Sequence, residues 1–320
     1  MMDLSINVSG LELQNPVMPA SGTFAEGLSE IIDFNRLGGF VTKTFTLDNR
    51  SGNPLPRVCE LNDGMLNAIG IPSKGLADYI AHTVPFYRKY QPPLIASISA
   101  NTVAEFAHLA MLLSEVQGIH AIEANISCPN IEAHGKAFAI APETTASVIK
   151  ALRASTHLPL WAKLTPNTSD IIGVAQAAEN EGCDALVVGN TLLGMAIDIE
   201  TRRPKLGNIM GGMSGAAIKP VMLRMTYQCS KHVGIPIIGC GGISNANDVI
   251  EYMLAGATAV QVGTATFVNP ATMISIIDDL SEWCANHGVN RVSDLTGLLD
   301  DSPFTAYTAL SWEGANKSLM

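Results

Sequence analysis

Charge is scarce in this chain: of 320 residues only 15% are Asp, Glu, Lys or Arg, and aromatic residues make up 6%. What charge exists leans acidic, 19 Lys plus Arg against 29 Asp plus Glu, for a formal net charge of −10. The missing basic excess excludes a broad nucleic-acid footprint and argues against binding to an anionic membrane surface. No apolar run reaches the roughly 18 residues of a spanning helix, because Gly, Pro or charge interrupts each one. Met1-Met2-Asp3-Leu4-Ser5 has neither the basic region nor the apolar core of a signal peptide, so a cytoplasmic protein is expected. The six cysteines, at 59, 128, 183, 229, 240 and 284, include no Cys-x-x-Cys pair. No structural zinc, iron–sulfur cluster or other metal is therefore expected, and a reducing compartment suits them. A Gly-x-Gly-x-x-Gly dinucleotide turn is also missing. So is any Gly-, Ser- or Pro-rich linker, and residues 1–320 are expected to form one domain.

What is present is a 47% hydrophobic composition, enough for a large core. Short apolar runs rich in β-formers alternate with helical stretches in eight pairs between about residues 16 and 285. That pattern predicts a (β/α)8 TIM barrel. The strands are expected at 17–20, 40–45, 94–99, 121–127, 160–165, 185–190, 236–240 and 259–263, each apolar enough to be covered on both faces. Helices are expected at 104–116, 142–154, 170–181, 220–232, 246–255 and 270–285, three with proline near the first turn. Connections 46–74, 129–141 and 191–219 are long and all follow strands. That places them at the C-terminal face, where barrels build ligand pockets.

Asn125-Ile126-Ser127-Cys128-Pro129-Asn130 sets one cysteine between two asparagines at the end of an apolar run. A thiol there can act as base or nucleophile while two amides hold a planar polar ligand; a buried strand-end cysteine before an ordinary turn is the competing reading. Gly239-Cys240-Gly241-Gly242-Ile243 follows strand seven and Gly263-Thr264-Ala265 follows strand eight, each just before a helix. Backbone amides exposed by such turns, with a helix N-terminus behind them, suit a phosphate. Gly211-Gly212-Met213-Ser214-Gly215 can form a third wall. Sugar phosphates, pyridoxal phosphate and flavin mononucleotide (FMN) would all fit. Lys43 in strand two and Lys163 in strand five are costly inside apolar strands unless paired with an anion, so both are site candidates. Lys163 would stabilise charge on a reduced flavin, and Lys43 an anionic substrate. Asn67, Asn125, Asn130 and Asn190 supply amides for a planar imide or ureide.

Asn125 to Asn130, Gly52-Asn53-Pro54-Leu55-Pro56-Arg57, Met65 to Gly70 and Gly241-Gly242-Ile243 together resemble dihydroorotate dehydrogenase over nearly the whole chain. Cysteine at 128 looks like class 1, and the Asn67-Ala68-Ile69-Gly70 and Asn190-Thr191-Leu192 segments look like class 1B. The resemblance implies oxidation of dihydroorotate to orotate in pyrimidine biosynthesis, with FMN as hydride acceptor and Cys128 as the base at C5. It implies pyrimidine contacts from Lys43, Asn67, Ala68, Ile69, Gly70, Ile71, Asn125, Asn130, Asn190 and Thr191. For FMN it implies Ser21, Lys43, Thr44, Ser97, Asn125, Lys163, Gly189, Gly215, Gly241, Gly242, Gly263 and Thr264.

Two positions depart from that pattern. Ser97 stands where relatives often carry Asn, which favours a bridging water over a direct flavin bond, and Gly189 stands where they carry a branched apolar residue. A homodimer is implied, as is a partner subunit with FAD and a [2Fe-2S] cluster passing electrons to NAD; fumarate as direct acceptor would instead indicate class 1A. The other readings are a dihydropyrimidine dehydrogenase-like flavoenzyme, a Schiff-base lyase using Lys163 or Lys43, and a non-catalytic flavin-binding scaffold. Closure of the 129–141 connection about Gly135 is a further expectation.

Overall fold

A computed structural model describes residues 2–127 and 137–302. Eight parallel strands form its central sheet: β1 (Val17–Pro19), β2 (Phe40–Val41), β3 (Leu94–Ile98), β4 (Ala121–Asn125), β5 (Leu160–Lys163), β6 (Ala185–Val188), β7 (Ile237–Cys240) and β8 (Ala259–Val262). The spatial order β1-β8-β7-β6-β5-β4-β3-β2 is the expected barrel order. The ends meet where the Gly38 N–H, just ahead of β2, donates to Val17 O at 2.9 Å. All eight strands consist of buried residues, as a sheet covered on both faces requires.

Among the described residues the later strands are each followed by a longer helix, α1 (Val103–Ser114), α2 (Pro142–Ser155), α3 (Ile171–Asn180), α4 (Lys219–Ser230), α5 (Ala246–Leu254) and α6 (Thr272–Asn286), the last preceded by a single turn at Ala265–Val268. Local chemistry sets their starts. Thr102 accepts from the Glu105 N–H, Asp170 from the Gly173 N–H, and Asn245 with Asp248 completes a capping box. The first two connections differ from the expected alternation. After β1 come only the 3-10 turns Glu26–Glu30 and Phe34–Arg36. After β2 a π turn, Tyr79–Thr83, leads directly into a turn containing Pro85, whose ring nitrogen has no proton to donate backward. Aromatic packing covers the sheet here: Phe34 lies 4.7 Å from Phe24, 5.4 Å from Phe40 and 5.1 Å from Tyr90 between ring centroids.

The connections after β2 and β6 are more ordered than their composition suggested. Val58–Leu61 and Gly64–Asn67, from the connection after β2, join Leu192–Met195 and Met210–Ser214, from the connection after β6. Together they make one four-stranded antiparallel sheet over the C-terminal mouth, with Gly212 opposite Asn67 and Met195 opposite Met210. At the other end an N-terminal hairpin, Ile6–Val8 with Leu11–Leu13, is tied to the barrel by Ser9 Oγ donating to Asp184 O at 2.6 Å. Among the described residues no helix is long and apolar enough to cross a membrane.

Candidate active site

Polar side chains that the strands carry inward meet just below the cap. Lys163 ends β5 only 3% exposed, and its Nζ donates to Gln261 Oε1 at 2.9 Å and Ser21 Oγ at 3.2 Å. Glu123 on β4 lies 3.8 Å from the same ammonium. Its carboxylate accepts from Ser97 Oγ at 2.8 Å and Gln261 Nε2 at 2.6 Å. The chain of bonds continues from Ser97 Oγ to Thr44 Oγ1 at 2.9 Å, and Asn125 Nδ2 donates to Thr44 Oγ1 at 3.3 Å. At its upper end Asn125 Oδ1 accepts from Ser127 Oγ at 2.5 Å and from Asn190 Nδ2 at 3.3 Å. Burying an ion pair costs several kcal/mol per charge, and an apolar replacement would be no less stable. So much polarity in one barrel mouth therefore points to a ligand site rather than to stability.

Lys43 is placed differently from the sequence reading. Strand two was expected to run to residue 45, but β2 ends at Val41: the Thr42 N–H still donates to Ile95 O at 3.2 Å, and beyond it the Ser97 N–H faces the Thr42 hydroxyl at 3.5 Å in place of a backbone carbonyl. The ladder touches again only where the Phe45 N–H reaches Ser97 O at 3.0 Å. Lys43 is therefore not an interior strand lysine. It is exposed at the rim, where its Nζ donates to Pro72 O, and partial burial holds its pKa below the ordinary lysine range. It borders a cavity of about 510 Å3 in which Arg50 and Lys74 face Glu26 and Asp78, so that cavity has no strong preference of sign.

The 67–71 segment comes down from the cap. Ala68 is gripped from both sides, its N–H donating to Arg57 O at 2.8 Å and its carbonyl accepting from Asn53 Nδ2 at 3.1 Å. The Asn53 N–H also donates to Ile69 O at 3.1 Å, so the 52–57 motif holds the 67–71 motif in place. Gly70 and Ile71 both have positive φ, 75° and 49°. Asn67 Nδ2 donates to Gly212 O at 3.4 Å. The Thr191 side chain lies against Gly212, and the Thr191 N–H is held by Asn190 Oδ1 at 2.8 Å. Asn67, Thr191, Asn190 and Asn125 are thus joined stepwise from cap to barrel rim.

The phosphate end has the expected turns. Gly241 and Gly242 take φ of +135° and +73°, and a Cβ on either would strike Met222 or Lys219 at the start of α4. Thr264 Oγ1 donates to Ser214 Oγ at 2.8 Å, bringing the Gly263 turn against the Gly215 loop. The amides of Gly241, Gly242, Gly263 and Thr264 find no backbone acceptor among the described residues. Open amides beside a fixed ammonium and a ring of side-chain amides fit a planar cofactor bearing a phosphate. Gly189 is also accounted for sterically: a Cβ there would lie 2.9 Å from Leu164 O, which leaves no room for a branched side chain. Ser97 is fully buried with its hydroxyl engaged by Glu123 and Thr44.

Cys128 and Asn130 lie outside the described residues, as does the 129–141 connection up to residue 136. Ser127, which precedes Cys128 in sequence, sits in the amide ring, 2.5 Å from Asn190 Nδ2. The buried cysteines among the described residues are poor bases. Burial pushes the Cys183 and Cys229 thiols up to about 12 and raises those of Cys240 and Cys284 as well. Glu123, Gln261 and Ser127 were not singled out from sequence. The argument that flagged the two lysines applied equally to Glu123, a carboxylate in the middle of the apolar run at 121–126.

The family model for dihydroorotate dehydrogenase matches residues 3–283. A Pelobacter propionicus protein named dihydroorotate dehydrogenase B (NAD(+)), catalytic subunit, is 47% identical over 300 residues, covering 93% of this chain and 99% of that protein. Proteins of the same name from Trichlorobacter lovleyi and Bacteroides fragilis are 49% and 45% identical, covering 93% and 94% of this chain and 98% and 100% of theirs.

Proposed function

This chain belongs to the dihydroorotate dehydrogenase family, and from that premise we propose that it oxidises dihydroorotate to orotate in pyrimidine biosynthesis as the catalytic subunit of a class 1B enzyme. The observation that carries the reading is the continuous polar path from Lys163 through Glu123, Ser97 and Thr44 to Asn125, Ser127 and Asn190, ending one residue before Cys128.

The family uses a flavin, and we take it to be FMN, held by the Gly215, Gly241, Gly242, Gly263 and Thr264 turns at the phosphate. Ser21, Lys43, Thr44, Ser97, Asn125, Lys163 and Gly189 would line its ring. When bound, the flavin supplies the hydride acceptor that no side chain of this protein provides. Lys163 contributes a fixed positive charge already paired with a buried carboxylate, which suits electrostatic stabilisation better than Schiff-base chemistry.

Substrate orientation falls to Asn67, the Ala68–Ile71 backbone, Asn125, Asn130, Asn190 and Thr191, whose amide donors and acceptors match the alternating N–H and C=O groups of a pyrimidine ring. Lys43 meets the carboxylate. Cys128 as thiolate removes the proton from C5. A free thiol ionises near pH 8.5, so turnover should rise into mildly alkaline solution.

Electrons would leave through a partner subunit carrying FAD and a [2Fe-2S] cluster and reach NAD there. Two copies of this chain would pair through the cap, where Leu193 and Met195 share one exposed face, Met210 lies opposite Met195, and Ile197, Ile199 and Ile209 are exposed nearby.

The chain purified alone should be yellow and should bleach when dihydroorotate is added without oxygen. A colourless protein, or a flavin that dihydroorotate leaves oxidised, would overturn the reading. Adding NAD, fumarate or oxygen to the reduced protein then identifies the acceptor, and rapid reoxidation by fumarate would remove the class 1B assignment.

A further inference from the structure

The mechanism above gives no role to Gln261, although neither it nor Glu123 has any accessible surface. Gln261 sits on β8 with its side chain bridging two charges: Nε2 donates to Glu123 Oε2 at 2.6 Å, and Oε1 accepts from Lys163 Nζ at 2.9 Å. A carboxylate can only accept and an ammonium can only donate, so the amide between them fits in one orientation. The direct separation of the charges, Lys163 Nζ to Glu123 Oε1, is 3.8 Å, longer than a hydrogen bond. The other oxygen of Glu123 is reached only through the amide. Ser97 fixes the far side of the carboxylate at 2.8 Å, and Ser21 takes a second ammonium proton at 3.2 Å. Two of the three Lys163 donors are thereby committed to protein partners, and the third finds no acceptor within hydrogen-bond distance among the described residues, which leaves it for a bound group.

We propose that Glu123 and Gln261 are positioning residues for Lys163: Gln261 spaces the ammonium from Glu123 so that it stays at the mouth, and Glu123 offsets part of its charge. The proposal rests on the flavin reading of Lys163. Two substitutions then act in opposite directions. Glu123→Gln keeps the bonding pattern, because its oxygen can accept from Gln261 and its new amide can donate to Ser97, whose hydroxyl can turn toward Thr44. It removes only the negative charge, so the ammonium attracts more strongly the charge that a flavin gains on reduction. Gln261→Met keeps length but ends the bridge, so the ammonium is drawn toward Glu123 and away from the mouth.

The test uses the flavin-loaded chain and three readouts: the flavin midpoint potential against reference dyes, the flavin dissociation constant, and the melting temperature of the cofactor-free protein as a folding control. Glu123→Gln should shift the potential upward and Gln261→Met downward, and Gln261→Met should weaken flavin binding about tenfold, the usual effect of losing one charged hydrogen bond. A purely structural role would lower the melting temperature and leave both potentials at the wild-type value. That result, or a shift of the same sign in both variants, overturns the proposal. Should one variant not fold, the sign of the shift in the other decides alone. A wild-type protein without flavin would instead sink the functional reading, whereas a wild type that bleaches with dihydroorotate beside variants of unshifted potential would sink this inference only.

Discussion

The barrel mouth and the cap above it invert the usual distribution of polarity in opposite ways. Within the mouth Ser97, Glu123 and Gln261 are fully buried and Lys163 is nearly so, and every one of them is hydrogen-bonded. On the cap Leu193 is 60% exposed and Ile199 81%, with Met195, Ile197 and Met210 also open to solvent. Hidden polarity costs desolvation and exposed apolar surface costs contact with water, so each region gains from a molecule the isolated chain lacks. On the proposed reading a small polar ring with its cofactor would satisfy the first, and a second copy of the chain would satisfy the second. If the two regions are served by different ligands, substitutions should separate them cleanly.

The largest effect is expected one residue beyond Ser127 in sequence. Cys128→Ala should lower turnover by about 10²- to 10⁴-fold, the usual contribution of a positioned acid or base. Flavin content and dimer mass should not change. Cys128→Ser should be slow yet recover in part at high pH, as a weaker acid needs more base to ionise. Undiminished turnover in the alanine variant would remove the base role and leave the mouth a binding site only. A second break tests the cap. Leu193→Asp puts a charge into the exposed apolar face and should weaken dimerisation about thirtyfold or more, as expected for a central interface residue. Sedimentation velocity at several concentrations reads this directly, with the visible spectrum as the control for the mouth. An unchanged mass distribution would show that the cap is not where the chains meet.

The same contrast explains how far the sequence could be read. Strands such as Ala185–Val188 and Ala259–Val262 were legible because a sheet buried on both faces needs continuous apolar runs. Helix starts were legible through prolines such as Pro142, whereas the Asn245 cap was seen only in the structure. Lys163 was found because its charge contradicts its strand. Lys43 was misplaced for the same reason: nothing in Val41-Thr42-Lys43 announces that regular pairing lapses after the Thr42 N–H reaches Ile95 O and leaves the lysine at the rim. Gln261 escaped because an uncharged amide in an apolar strand is a weak signal until its two charged partners, 98 and 138 residues away in sequence, are brought beside it. The cap sheet escaped because its strands pair across two separate connections, and Gly211-Gly212 reads locally as a loop.

The smallest effect concerns pH and sharpens the division within the mouth itself. Lys43 is exposed, backed by the Pro72 carbonyl, and partial burial lowers its pKa, whereas Lys163 is enclosed beside Glu123. A lowered lysine pKa means that the ammonium is lost at a lower pH than the usual value of about 10.4. The carboxylate of dihydroorotate would then lose its counter-charge as pH rises through that point, and KM should climb. On the proposed reading a Cys128 thiolate, with a free thiol ionising near pH 8.5, would raise kcat over a similar range. The two limbs should therefore oppose each other: kcat rises from neutral pH toward 9 while kcat/KM levels off and falls at the alkaline end. Lys43→Arg, which cannot deprotonate in this range, should abolish the alkaline rise in KM and leave the kcat limb in place. A KM that climbs equally in the arginine variant would assign the alkaline limb to some group other than Lys43 and leave the substrate carboxylate without its assigned counter-ion.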